Sequence, residues 1–197
     1  MTYDELPELH NINVLKNLGS ILELGILSYD GAKRINHYSV AMAEIQDIRA
    51  KVVLPNHRKL HAYANLYINA RNTMMYKRKD THRELCVIRV DKRILNHPTA
   101  IVADQNACSG YARFAGGTTG LGRIDKDTVY AEYWTHSGDQ IATWRHKAAR
   151  CAEVLVLDSV PPTYINGVYL SCAESKVEVE GAFPDLDVVV KPHLFFR

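Results

Sequence analysis

Two side chains in this 197-residue chain stand out as candidates for chemistry. Glu153 interrupts the run CAEVLV, residues 151–156, whose Ala, Val and Leu suit a half-buried β-strand while a carboxylate does not. On a period of two it shares a face with Cys151, Leu155 and Leu157, with Ala152, Val154 and Val156 on the other. An edge-strand glutamate that reaches water is the plain explanation. The functional one is a carboxylate held at the floor of a cleft, able to anchor a sugar hydroxyl or stabilise a developing cation. Arg71 follows the strand-like LYIN of LYINARNTMMY, residues 66–76. It reads either as a solvated arginine at a strand exit or as a guanidinium placed to clamp a phosphate or steer a nucleobase.

Three basic segments lie between the strand-like runs: RAKVVLPNHRKLH (49–61), YKRKD (76–80) and WRHKAAR (144–150). Taken singly each is a solvated face. Together they offer Tyr76, Lys77, Arg78, Lys79, Trp144, Arg145, Lys147 and Arg150, a mixture suited to tracking a phosphodiester backbone and stacking unpaired bases. Zinc-finger and basic-zipper signatures for reading a duplex are absent.

Other chemistry is not supported. GGTTGLGR has no GK[ST] and no GxGxxG follows a strand. His57 and His61 are four apart, but HRKLH lacks a zincin glutamate, so both read as surface residues and no metal is expected. Cys86, Cys108, Cys151 and Cys172 form no CxxC pair, which favours reduced thiols in a cytoplasmic protein. The acidic opening MTYDELPELH has no apolar core, so no signal peptide and no membrane contact are expected. A net charge of +2 excludes a strongly basic, histone-like protein, and 47% apolar residues suffice for one folded domain over 1–197.

These side chains need elements to hold them. Residues 13–25 read as the clearest helix, capped by Asn13 and ended by Gly25, and HYSVAMAEIQDIRAKV (37–52) as mostly short helix and loop. Strands are expected at 63–69, 85–90, 98–104, 151–158, 166–172 and 186–190, with HLFF strand-like at the end. Residues 105–123 read as mostly irregular, 125–134 as a helix, 135–150 as helix or loop, and AESKVEVEG as a charged helix. The absence of a regular βαβ alternation argues against a doubly wound sheet. It favours an α+β fold with two packed mixed or antiparallel sheets and flanking helices.

Taken in order, three segments resemble the DarT family, the toxins of bacterial DarT–DarG toxin–antitoxin systems. NLGSILELGILS resembles the family opening, LYINARNTMMY resembles FYFNPRSPMLY, and ARCAEVLVLDSVP resembles the RQAEFLV strand. VADQNACSGYARF is similar to a fourth, TDGHA…TRF. The resemblance implies an ADP-ribosyltransferase-like fold, NAD as co-substrate, and transfer of ADP-ribose to a base in single-stranded DNA. It implies Glu153 and Arg71 as catalytic residues, Arg71 also serving in NAD binding with an amino-terminal motif near His10, Asn11 and Asn13. The family histidine register falls on Asn11, with His10 one residue away. The residues just before Glu153 would form a substrate-recognition loop. Asn106 stands where thymine-modifying members carry histidine, which leans towards guanine as the modified base, with thymine the alternative. The expected partners are single-stranded DNA and a DarG-like macrodomain antitoxin, with the enzyme a monomer. ADP-ribosylation of protein or RNA, and a non-enzymatic single-strand-binding module, are the competing readings.

Overall fold

The computed structural model describes residues 1–39 and 43–196. Its strands are β1 (Leu9–Val14), β2 (Ile26–Leu27), β3 (Tyr63–Tyr67), β4 (Leu85–Val90), β5 (Ile101–Ala103), β6 (Phe114–Gly116), β7 (Glu153–Leu157), β8 (Ser159–Val160), β9 (Ile165–Leu170) and β10 (Val188–Val190). The α-helices are α1 (Leu18–Leu24), α2 (Tyr29–Ala32), α3 (Ala43–Lys51), α4 (Thr73–Lys77), α5 (Lys126–Tyr130), α6 (Gln140–Ala149) and α7 (Ala173–Ala182). The class is α+β, as expected.

Eight strands run in the order β10-β9-β4-β1-β3-β7-β5-β6, and β2 pairs with β8 as a separate small sheet. The pairing is antiparallel except between β10 and β9, so the large sheet is mixed. Its two halves meet weakly. β1 pairs with β4 along its whole length, but with β3 only at His10↔Tyr67. Beyond that point β1 and β3 part, and the Asn11 side chain donates to the Asn65 carbonyl at 3.1 Å in place of a ladder bond.

The alternation expected for 63–69 and 151–157 decides the packing. Ala64, Leu66, Ile68, Val154 and Val156 enter the main core with Ile88 and Val168. On the opposite face Leu155 packs with Leu60, Tyr63 and Ala103. β7 is therefore covered on both faces, and each fully buried Val or Leu there contributes roughly 1.5–3 kcal/mol. That is why its register, and with it the position of Glu153, is fixed.

Local departures from the sequence reading have local causes. Asn13 is not a helix cap. It lies in β1, and its Oδ1 accepts from Val14 N and Asn17 Nδ2, tying the strand to the turn that precedes α1. Gly25 does end α1, with φ +85, and a Cβ there would lie 2.2 Å from the Val160 carbonyl oxygen. Residues 105–123 are less irregular than expected, holding β6 and a 3-10 segment over Gly117–Arg123. The helix expected over 125–134 stops at Tyr130, and 140–149 proves helical, capped by Asp139. HLFF is not a strand, because Pro192 starts a 3-10 turn over Pro192–Leu194. Residues 40–42 of the stretch between α2 and α3 lie outside the described residues.

Candidate active site

A cleft of about 260 Å³ opens where β1 and β3 part. Asn11 and Asn13 face it from one side and Tyr67 from the other, with α2, α3 and α4 contributing Tyr29, Arg49 and Lys77. The amides on its amino-terminal wall form a chain. Asn13 Nδ2 donates to Asn11 Oδ1 at 3.2 Å, and Asn17 Nδ2 donates to Asn13 Oδ1 at 2.8 Å and to the Tyr38 carbonyl at 2.7 Å. Tyr38 N in turn donates to Asn17 Oδ1 at 2.9 Å. One short polar network thus ties β1 to the segment before α3.

Glu153 lies behind this cleft, not in bulk water. It is the first residue of β7, in register with Tyr67 on one side and Ala103 on the other, and has no exposed surface. Its carboxylate accepts from Ala107 N at 2.9 Å through Oε1, and Arg49 Nη1 stands 3.3 Å from both oxygens. Arg49 is 9% exposed and is one of the cleft residues. Burial works against the guanidinium charge, but the Glu153 carboxylate more than offsets it, so Arg49 binds its proton more tightly than an ordinary arginine. Around this pair, burial and then the Glu153 charge push the Tyr67 phenol upward, and burial pushes the Cys151 and Cys108 thiols upward. The site therefore holds one buried ion pair among neutral phenol and thiol groups. Such a pair is electrostatically strong, and breaking it is costly.

Arg71 is not the arginine opposite Glu153. Its Nη1 donates to the His193 carbonyl at 2.5 Å and the Phe195 carbonyl at 3.4 Å, and its guanidinium lies 4.0 Å from the Phe196 ring centre. The carboxy-terminal segment occupies this side chain, and Arg71 is not among the cleft residues. Its backbone does matter for the cleft. Arg71 N donates to Asn69 Oδ1, and buried Asn72 caps α4 by accepting from Met74 N and Met75 N. That turn presents Thr73, Met74 and Lys77 to the cleft.

The amino-terminal motif divides. Asn11 and Asn13 face the cleft, while His10 does not. His10 Nε2 lies 3.4 Å from Glu8 Oε1, in a group where Arg89 and Tyr169 also donate to Glu8. The strand's alternation explains the split, since neighbours on β1 cannot share a face.

The basic residues divide as well. Lys77 and Arg78 face the cleft. Tyr76 is exposed and forms edge-on contacts with Trp134 and Phe196, with Lys79 over its ring at 5.5 Å. Trp144 and Arg145 are exposed on α6, and Lys147 is half-buried. Arg150 is no surface cation. It is 1% exposed, donates to the Arg71 carbonyl and lies 4.9 Å over Trp134, so burial holds its proton affinity below that of an ordinary arginine. His61, expected at the surface, is 9% exposed and belongs to the cleft, whereas His57 is exposed.

The sequence reading missed Arg49 as the partner of Glu153 and treated it as the first residue of a basic loop. No local signal marks it, because the pairing joins residues 104 positions apart. Gln46, one turn earlier on α3, also lines the cleft. Among the described residues no group of three or more His, Cys, Asp or Glu could hold a metal, and no helix is long and apolar enough to cross a membrane.

The split mixed sheet, the small second sheet and the flanking helices form an ADP-ribosyltransferase-like fold of the DarT type, as superposition on solved structures shows. Thermosipho africanus DarTG in complex with ADP-ribose superposes with a TM-score of 0.83 at 28% identity, over 96% of this chain and 51% of that one. Thermus sp. 2.9 DarT in complex with ADP-ribosylated ssDNA superposes with a TM-score of 0.82 at 20% identity, over 100% of this chain and 99% of that one. The latter likeness concerns the fold alone. The family model described as "ssDNA thymidine ADP-ribosyltransferase, DarT" matches residues 10–196, and the chain belongs to this family. Among curated relatives, a DNA ADP-ribosyl transferase–DNA ADP-ribosyl glycohydrolase fusion protein of Thermosipho africanus is 29% identical over 204 residues. That match covers 98% of this chain and 50% of the relative, so the chain spans about half of its length. The DNA ADP-ribosyl transferase of Thermus aquaticus is 28% identical over 195 residues, 90% of this chain and 82% of the relative.

Proposed function

We propose that this chain transfers ADP-ribose from NAD to a base of single-stranded DNA and releases nicotinamide. One observation carries the reading: the Glu153–Arg49 pair lies behind a cleft lined by amides and aromatic rings. The bond broken joins the nicotinamide nitrogen to the ribose, and the bond formed joins that ribose carbon to a base nitrogen. This is transfer of a pentosyl group, not of a nucleotidyl group. Positive charge develops on the ribose carbon as the first bond opens. The Glu153 carboxylate is suited to hold the neighbouring hydroxyl and offset that charge. It is also suited to accept the proton that the base gives up. Arg49 and Ala107 N hold the carboxylate in one orientation, so little reorganisation is needed when the charge appears. Asn11 and Asn13 would bind the co-substrate from the opposite wall.

Lys77 and Arg78 at the cleft mouth, with Tyr76 and Lys79 on the same short segment, suit a strand whose bases are already unstacked. Arg71 acts through the position of α4 in this reading, not by contact with the reacting atoms. Asn106 at the cleft supports guanine, since an amide cannot take the N3 proton of thymine as an imidazole can. The thymidine in the family description supports the alternative. The fused glycohydrolase of the Thermosipho relative supports a DarG-like antitoxin as the partner that reverses the modification, and with it a toxin role.

Nicotinamide release tests the reading. Release should require NAD, protein and single-stranded oligonucleotide together, with RNA, duplex and protein acceptors as controls. Salt-sensitive oligonucleotide binding without NAD consumption would favour a binding module instead.

A further inference from the structure

His61 and Gln46 both face the cleft, and each leaves a buried polar atom without a partner: His61 Nε2 and Gln46 Oε1. His61 sits in the 3-10 turn Leu60–Ala62 that leads into β3, its ring tilted by 36° against Tyr29 with centres 4.1 Å apart. Burial, the largest influence, favours the neutral imidazole, and the Arg49 and Lys33 charges act in the same direction against Asp30. A neutral imidazole has one ring nitrogen with a free lone pair, and Nε2 is the buried, unpartnered one here. Gln46 Oε1 is an acceptor too, on α3 one turn before Arg49. Buried acceptors left unpaired carry a desolvation cost that folding alone does not recover. Both line the same cleft as the arginine that holds Glu153, where a bound ligand could supply the missing donors.

We propose that His61 Nε2 and Gln46 Oε1 form a subsite for a planar ring bearing an exocyclic NH2 group, taken up beside Leu60 and Tyr63. The assignment rests on the reading above that NAD is the co-substrate. Two parts of that dinucleotide have this chemistry: the carboxamide of the nicotinamide ring and the 6-amino group of adenine. Each can be altered alone. 3-Acetylpyridine adenine dinucleotide replaces the amide NH2 by methyl, and nicotinamide hypoxanthine dinucleotide replaces the 6-amino group by oxygen.

Calorimetric binding of NAD and both analogues to the native protein, His61→Phe and Gln46→Met tests the proposal. The native protein should bind one analogue at least tenfold more weakly than NAD. That gap should shrink below threefold in the variants, and the analogue concerned identifies the ring. If both analogues bind weakly, the subsite belongs to the one whose penalty the variants erase. A melting curve checks each variant, and Gln46→Met, at a partly exposed position, carries the test if His61→Phe does not fold. NAD binding with no penalty for either analogue, or penalties unchanged in a folded variant, overturns this assignment alone. Failure of the native protein to bind NAD overturns it together with the proposed function.

Discussion

Arg49 Nη1 lies 3.3 Å from both carboxylate oxygens of Glu153, joining α3 to the start of β7 across 104 positions of sequence. The contact places a paired charge where the two halves of the sheet separate. Because Glu153 has no exposed surface, removing one partner leaves the other buried and uncompensated. Arg49→Ala should therefore lower stability by about 3–5 kcal/mol. The double variant Arg49→Met with Glu153→Leu should recover part of that loss and remain inactive. Urea unfolding of the single and double variants measures both effects, and an Arg49→Ala protein as stable as the native one would contradict the account.

Arg71 should report on the carboxy-terminal segment. Its guanidinium donates to two carbonyls there, and hydrogen bonds from a charged group are each worth about 1.5–3 kcal/mol. Arg71→Ala should raise hydrogen exchange over residues 193–196 and lower the melting temperature. Nicotinamide release should fall less than tenfold. A loss of a hundredfold or more with the segment still protected would return Arg71 to the chemistry.

The cations outside the core should separate by salt dependence. Each phosphate contact on a single strand contributes about 0.7 to the slope of log binding constant against log salt. Lys79→Ala and Arg145→Ala should each reduce the slope by roughly that amount. Arg150→Met should leave the slope unchanged and lower the melting temperature, since its guanidinium is buried against Trp134 and the Arg71 carbonyl. A reduced slope for Arg150→Met at native stability would place it on the DNA path.

Stability should fall in acid in part through Glu8. Burial raises its pKa, but hydrogen bonds with His10 and Tyr169, the His10 charge and Arg89 more than offset this and hold it at about 2. A depressed carboxyl binds fewer protons folded than unfolded. The stability it supplies is complete above the ordinary value of 4.5 and is lost as pH falls towards about 2. Urea midpoints measured from pH 5 to 2.5 should drop less steeply for Glu8→Gln than for the native protein. Parallel curves would show that Glu8 does not contribute.

The strands that position Glu153 were legible because their apolar residues alternate: Ala64, Leu66 and Ile68 on β3, Val154 and Val156 on β7. The carboxylate was legible because it breaks that pattern. Arg49 was not, because a helix residue whose partner lies on a distant strand leaves no periodic trace. Arg71 stood at a legible strand exit, but its side chain turns to the carboxy-terminal segment; Arg150 misled through its composition. A basic residue beside aromatic ones reads as a nucleic-acid contact, yet the same chemistry also builds internal cation–π packing, here against Phe196 and Trp134. His10 and Asn11 could be told apart only once the face of β1 was known.

The central claim is that the buried glutamate behind the cleft drives transfer of ADP-ribose to a DNA base. Nucleoside mass spectrometry of short single-stranded oligonucleotides, treated with NAD and either native protein or Glu153→Gln, tests it most directly. Glutamine keeps oxygen acceptors for Ala107 N and Arg49 but removes the charge, so the fold should survive at lower stability, with activity down by roughly 10²–10³. The account predicts an ADP-ribosylated nucleoside, its base identified by mass, with the native protein and almost none with the variant. Equal adduct from a folded Glu153→Gln protein, or none from the native one, would contradict it.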